Sequence, residues 1–134
     1  MAVLRPYLYG GDVREQAAFY AGALQGEVKS VRTYGEGGFG TEETRDKVMH
    51  LELQAAGLLF YLADSVTGTV ERGSGLDLNL EFVSEEEARS AFEGLSAGGE
   101  VLMPLAPMFW GALFGRLKDP YGVQWQISTP RQGQ

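Results

Sequence analysis

A chain of 134 residues is long enough to bury one real core and too short for two independently stable domains. Its 44% hydrophobic and 22% charged residues belong to a folded globular chain, and 11 basic against 18 acidic side chains repel a phosphate backbone instead of releasing its counterions. The absence of cysteine excludes disulfides, thiolate metal sites and thiol nucleophiles. Residues 1–10 carry no long apolar run after Arg5, unlike a secretory signal. The longest apolar run, residues 55–63, falls far short of the ~20 residues that a membrane span needs. The expectation is a soluble, cytoplasmic protein without nucleic-acid or membrane partners.

Residues 3–9 read as a strand that Gly10-Gly11 breaks, with Asp12 as N-cap of a helix running to about Leu24. Val13, Ala17, Tyr20 and Leu24 give that helix its apolar stripe, and Gln25-Gly26 ends it. Strands follow at residues 27–34, 47–54 and 58–64, the last two joined by the Ala55-Ala56-Gly57 turn. A connector rich in Gly, Ser and Thr, residues 65–75, separates this βαβββ unit from a second. Leu76, Leu78, Leu80 and Phe82 alternate with polar residues as a half-buried strand, and Ser84 with Glu87 forms a capping box for a helix with Ala88, Ala91, Phe92 and Leu95 on one side. Gly98-Gly99 closes it. Strands at residues 100–105, 111–118 and 123–128 complete the unit, the last two joined by Asp119-Pro120-Tyr121-Gly122.

The halves align directly: Ala18-Phe19 with Ala91-Phe92, and Gly26-Glu27-Val28 with Gly99-Glu100-Val101, at one constant offset. The expected fold is α+β: a single domain over residues 1–134, with module 1 at about 1–64, a linker at 65–75 and module 2 at about 76–130. Each helix covers the outer face of its own sheet, and the other faces form a curved mixed sheet around a cavity, the default ligand site.

Phe109-Trp110-Gly111-Ala112-Leu113-Phe114-Gly115, followed by Asp119-Pro120-Tyr121-Gly122-Val123-Gln124-Trp125, resembles the carboxy-terminal signature of PhnB-like proteins in the vicinal-oxygen-chelate superfamily. Pro6-Tyr7-Leu8, Phe19-Tyr20 and Val48-Met49-His50 are similar to residues that this group carries at those places. The resemblance implies paired βαβββ modules, commonly as homodimers. It also implies a superfamily that includes glyoxalases, fosfomycin-modifying enzymes, bleomycin-sequestering proteins and ring-cleaving dioxygenases. In its metal-using members, His, Glu or Gln side chains on the first and fourth strands of each module hold one divalent cation. Those places fall here near Arg5 or Tyr7, at Tyr61, near Leu78 or Asn79, and at Gln126. No choice among them supplies a His or a carboxylate at all four, so no metal ligand is assigned and no cofactor is expected, a weakly held divalent cation being the alternative.

His50 is the only histidine and the natural general base, and strand alternation puts Glu52 on the same face, opposite Met49, Leu51 and Leu53. The two are the candidate catalytic residues; the competing reading is a hydrogen-bonded histidine on a polar wall. Phe114 and Arg116 share a face of their strand, where the guanidinium suits a carboxylate or phosphonate, or else a cross-strand salt bridge. Gln124, Gln126 and Ser128 face one way on the final strand and Trp125 the other, toward the helix. Trp110 walls a pocket or fills a core or dimer seam. The candidate ligand-binding set is therefore Tyr7, Tyr61, Asn79, Trp110, Phe114, Arg116 and Gln126. Gly35-Glu36-Gly37-Gly38-Phe39-Gly40 fits the dinucleotide fingerprint by letter, but acidic residues follow it instead of an apolar helix, so it reads as a loop or lid. Ser74 reads as linker.

Three functions compete. A metal-independent protein that binds a small, anionic or aromatic molecule leads; a glyoxalase-like lyase or isomerase moving protons through His50 and Glu52 is second; a homodimeric interaction module is third. Quinone methyl transfer, a label some proteins of this look have carried, needs a doubly wound domain that this pattern lacks.

Overall fold

The computed structural model describes residues 1–131 and divides between Glu71 and Arg72 into two compact units. In the first, Pro6 has no amide hydrogen to give a ladder, so β1 begins one residue later, Tyr7–Gly10, and is shorter than the sequence pattern predicts. Asp12 accepts from Glu15 N at 3.2 Å and opens α1, Val13–Leu24, a cap worth about 1 kcal/mol. Gln25 at φ 54° turns the chain out of the helix into β2, Glu27–Thr33; β3, Val48–Ala55, and β4, Leu58–Asp64, then form a hairpin. Strand order is β1-β4-β3-β2, with β1 parallel to β4.

The second unit repeats this plan with β5 (Leu78–Glu81), α2 (Glu85–Ser96), β6 (Glu100–Pro107), β7 (Leu113–Lys118) and β8 (Gln124–Ser128), ordered β5-β8-β7-β6 with β5 parallel to β8. Ser84 caps α2 through Glu87 N at 3.2 Å, and three glutamates in its first turn complement the helix dipole. β5 is shorter than predicted, Leu76 and Val83 being exposed beyond its ends. β7 starts at Leu113 because Gly111, at φ 84°, belongs to the loop that Met108 N closes on Ala112 O.

In each unit the helix buries one sheet face and leaves the other open. Val13, Ala17, Tyr20 and Leu24 are buried with Leu51, Leu53, Phe60 and Leu62; Gln16, outside the predicted stripe, is buried with them and donates to the Tyr20 hydroxyl at 2.9 Å. Ala88, Ala91, Phe92 and Leu95 are buried with Leu80, Leu117, Trp125 and Ile127. A Cβ on Gly115 would stand 2.8 Å from the Phe92 ring and from the backbone of Leu105, so this glycine lets the phenyl ring lie on β7. Gly26 and Gly99 are equivalent: a side chain on either would strike the backbone oxygen of Gln54 or Lys118, the residues opposite Glu27 and Glu100. The Ala18-Phe19 and Ala91-Phe92 match is different. Ala18 is exposed and Ala91 buried, so the letters agree where the helix faces do not.

The signature turn is structural. Asp119 accepts from Tyr121 N at 2.8 Å and Val123 N at 3.1 Å with one oxygen, and from the buried Trp125 indole at 2.8 Å with the other. Asp64 does comparable work at the end of β4, accepting from Val13 N at 2.9 Å and Val48 N at 2.7 Å; at the end of β8 the Thr129 hydroxyl accepts from Leu113 N at 2.9 Å. Asp64→Ala strands two buried amides and should destabilise by about 2–4 kcal/mol, against about 1–2 for Thr129→Val, where one is stranded. Urea unfolding of the two variants measures that order directly.

Candidate functional site

Parallel pairing of first and last strands decides which predicted residues meet. Tyr7 lies opposite Tyr61, whereas Arg5 precedes β1 and is exposed. Asn79 lies opposite Gln126, whereas Leu78 pairs with the buried Trp125. Of the two alternatives at each place, Tyr7 and Asn79 are thus the ones that stand opposite Tyr61 and Gln126.

On the open face of module 1, Glu52 is opposite Tyr61 and His50 sits two residues back along β3. The ring centroids of His50 and Tyr61 are 4.8 Å apart, those of Tyr7 and His50 5.8 Å, and those of Tyr7 and Tyr9 5.3 Å. The Tyr7 hydroxyl stands 3.4 Å from His50 Nδ1, and His50 Nε2 3.5 Å from Glu52 Oε1. Which of the Tyr7 hydroxyl and His50 Nδ1 donates is set by the imidazole tautomer. Burial, reinforced by Tyr9 and Tyr34, raises the Tyr7 pKa above its ordinary value, so at neutral pH this phenol is a hydrogen donor and not a base. The expected alternation is broken by a bulge: Thr33 pairs with Val48 and Arg32 with His50, so Val48 and not Met49 is buried with Leu51 and Leu53. A Cβ on Gly37 would lie 2.8 Å from the Met49 methyl.

Beside this cluster is a cavity of about 490 Å³ lined by Tyr9, Tyr34, Asp64, Val66, Thr67 and Val70, among others. Its wall includes the connector, which the sequence presents only as a linker. The glycine-rich stretch 35–40 leads into further turns and no helix, and the Glu36 carboxylate is engaged by Thr33 N and Oγ1 at 3.0 and 2.9 Å. It is not a dinucleotide cradle.

The open face of module 2 carries a continuous polar network. Arg116 Nε and Nη2 donate to the two oxygens of Asp77 at 2.8 and 3.2 Å, and Nη2 reaches Gln124 Oε1 at 3.4 Å. Gln126 Nε2 donates to Asp77 at 3.1 Å while its Oε1 accepts from Asn79 at 3.1 Å. Ser128 Oγ stands 3.5 Å from Asn79 Oδ1. The Arg116 hydrogen bonds, aided by Gln126, hold the Asp77 carboxyl below its ordinary range; Arg116 is raised in return. Trp110 meets Phe114 edge-on at 6.0 Å and Phe109 at 4.9 Å. Asp77 escapes the sequence reading although it stands in register with Asn79 and Glu81, because the alternation shows which face it occupies but not that Arg116, two strands away, lies within reach.

The two faces are built on one plan. Tyr7, Tyr61, Glu52 and His50 stand where Asn79, Gln126, Arg116 and Phe114 stand in the other module. The superfamily's metal would have to use the first two positions of each set, and the donors there are two phenols and two amides. Among the described residues no group of three or more His, Cys, Asp or Glu is placed to hold a metal ion. The residues do not fit that ion.

Residues 3–127 match the family described as Glyoxalase/Bleomycin resistance protein/Dioxygenase superfamily. Among solved structures, a Bacillus cereus PhnB protein, a proposed 3-demethylubiquinone-9 3-methyltransferase, is 29% identical over 96% of this chain and 100% of its own, with a TM-score of 0.77. Protein PA1353 from Pseudomonas aeruginosa is 30% identical over 95% and 98%, with a TM-score of 0.79. Protein YjdN of Escherichia coli K12 is 26% identical over 96% of each chain.

Two titrations check these electrostatics. In Tyr7→Phe the phenolate absorbance that appears above the ordinary tyrosine range should fall by one tyrosine's share. Because the folded Asp77 pKa is depressed, its pairing stabilises the fold above the unfolded value of 3.8 and that contribution is lost as pH falls toward the folded value. Arg116→Gln should therefore melt below the wild type at neutral pH, with a gap that narrows as pH falls through 3.8.

Proposed function

As the chain belongs to the Glyoxalase/Bleomycin resistance protein/Dioxygenase superfamily, whose members bind small molecules, we propose that it is a PhnB-like small-molecule-binding protein that works without a metal. The observation that carries this is the identity of the side chains at the chelating positions. Tyr7 and Tyr61 in one module, and Asn79 and Gln126 in the other, offer phenol and amide groups suited to hydrogen-bonding an organic ligand. Tyr7, Tyr61, Trp110 and Phe114 add the aromatic surface that favours a planar or apolar body. Methyl transfer finds no support, since each sheet among the described residues is a four-stranded mixed sheet and not a doubly wound parallel one.

Elemental analysis of the purified protein, before and after incubation with manganese, zinc and nickel and then desalting, tests the proposal. Substoichiometric metal in every case is the expected result; one tightly held divalent ion per chain overturns it.

A second reading rests on the Tyr7–His50–Glu52 contacts: a lyase or isomerase in which His50 takes a proton, Glu52 orients the imidazole and Tyr7 donates a hydrogen bond to developing negative charge. On this reading His50→Ala loses 100-fold or more in turnover, on the order expected of a general base, with an unchanged circular dichroism spectrum. The exposed Val101, Leu102 and Met103 on edge strand β6 favour a homodimer in solution.

A further inference from the structure

The arginine of module 2 looks from sequence like an anion receptor, yet its guanidinium already holds a carboxylate. Of the two edges by which a guanidinium can grip a carboxylate or phosphonate, Asp77 fills the one formed by Nε and Nη2 at 2.8 and 3.2 Å, and Gln124 Oε1 stands 3.4 Å from Nη2. Asp77 is also the more buried partner, 12% exposed against 35% for Arg116, and is tied from a second side by Gln126. Its backbone is fixed by the pairing of the next residue, Leu78, with Trp125 at the start of the β5–β8 ladder. To take that edge a free anion would have to break two hydrogen bonds to a carboxylate that Gln126 also holds in place and whose effective concentration at the guanidinium is on the order of millimolar or more. Among the described residues on these strands, Lys118 ends β7 opposite Glu100 and Glu81 ends β5, so charges of both signs flank the face.

We propose that Asp77 is the specificity-determining residue of this face: by neutralising Arg116 it makes module 2 refuse anions and accept uncharged, planar ligands that carry hydrogen-bond acceptors. What remains on offer suits such a molecule. Phe114 shares the face with Arg116, whose flat guanidinium stacks on rings even when its edge is engaged. Asn79 and Gln126 each keep one amide hydrogen beyond the bonds described, and a carbonyl or ether oxygen can accept them. The inference rests on the small-molecule reading above and narrows its ligand class away from the anions that the arginine alone suggests.

Benzoate and benzamide, of nearly equal shape and differing in charge, are the probes, titrated against the full chain by calorimetry and by shifts of melting temperature. The wild type should bind benzoate no more tightly than benzamide. Asp77→Asn and, as a second variant, Asp77→Ser should gain about tenfold or more for benzoate, a gain expected of a freed charge-assisted fork and weakened by salt. The gain should vanish in Asp77→Asn/Arg116→Gln, and Glu71→Gln, which removes one exposed negative charge elsewhere, should behave as the wild type. A wild type that prefers benzoate tenfold, or Asp77 variants that bind it no better than the wild type, including not at all, overturns the proposal. The metal analysis is a separate measurement, so a retained metal would sink the metal-free reading without altering how these titrations are judged.

Discussion

In each module the first strand runs parallel to the last, with Tyr7 beside Tyr61 and Asn79 beside Gln126. A parallel neighbour cannot be reached through a tight hairpin, so the chain must cross over, and here it does so through a helix that covers one sheet face. That one constraint orders the rest. It places α1 and α2 over their sheets and leaves the opposite faces open. It also aligns the side chains of β1 with those of β4, and those of β5 with those of β8, in the register that brings the candidate site residues together.

What holds the crossovers in place is polar as much as apolar. The Asp64 carboxylate gathers the start of α1 and the start of β3 at the end of β4, and Thr129 ties the start of β7 after β8. Asp119 locks the last hairpin and the Trp125 indole together. Buried amides left without such partners would each cost on the order of 1–3 kcal/mol. The most recognisable carboxy-terminal residues are thereby explained by folding, Gly115 by the Phe92 ring and Asp119 by its three donors, with no need of a ligand.

The duplicated scaffold has diverged in chemistry at matched positions. Module 1 presents an imidazole between a phenol and a carboxylate, with a third aromatic ring against it. Module 2 presents amides and an arginine neutralised by an aspartate. At matched positions the two faces therefore carry different hydrogen-bonding groups, an imidazole and carboxylate in the first and amides with a paired guanidinium in the second.

Hydrophobic periodicity, Asp12 and Ser84 as caps, and glycines at Gly26 and Gly99 are local signals, and from them the sequence by itself determined the element order, the duplication and the faces of β7 and β8. It left β1 and β5 uncertain by a residue, since alternation fixes the side of a strand but not its neighbour. The β2–β3 bulge that buries Val48 in place of Met49 was equally invisible, because a bulge is a property of two paired backbones. Only the tertiary structure decided that Tyr7 and not Arg5 stands by Tyr61, and that Arg116 is already paired with Asp77, 39 residues away in sequence. Contacts of that separation depend on the register of strands that meet only in the folded sheet, and no window of local sequence contains both partners.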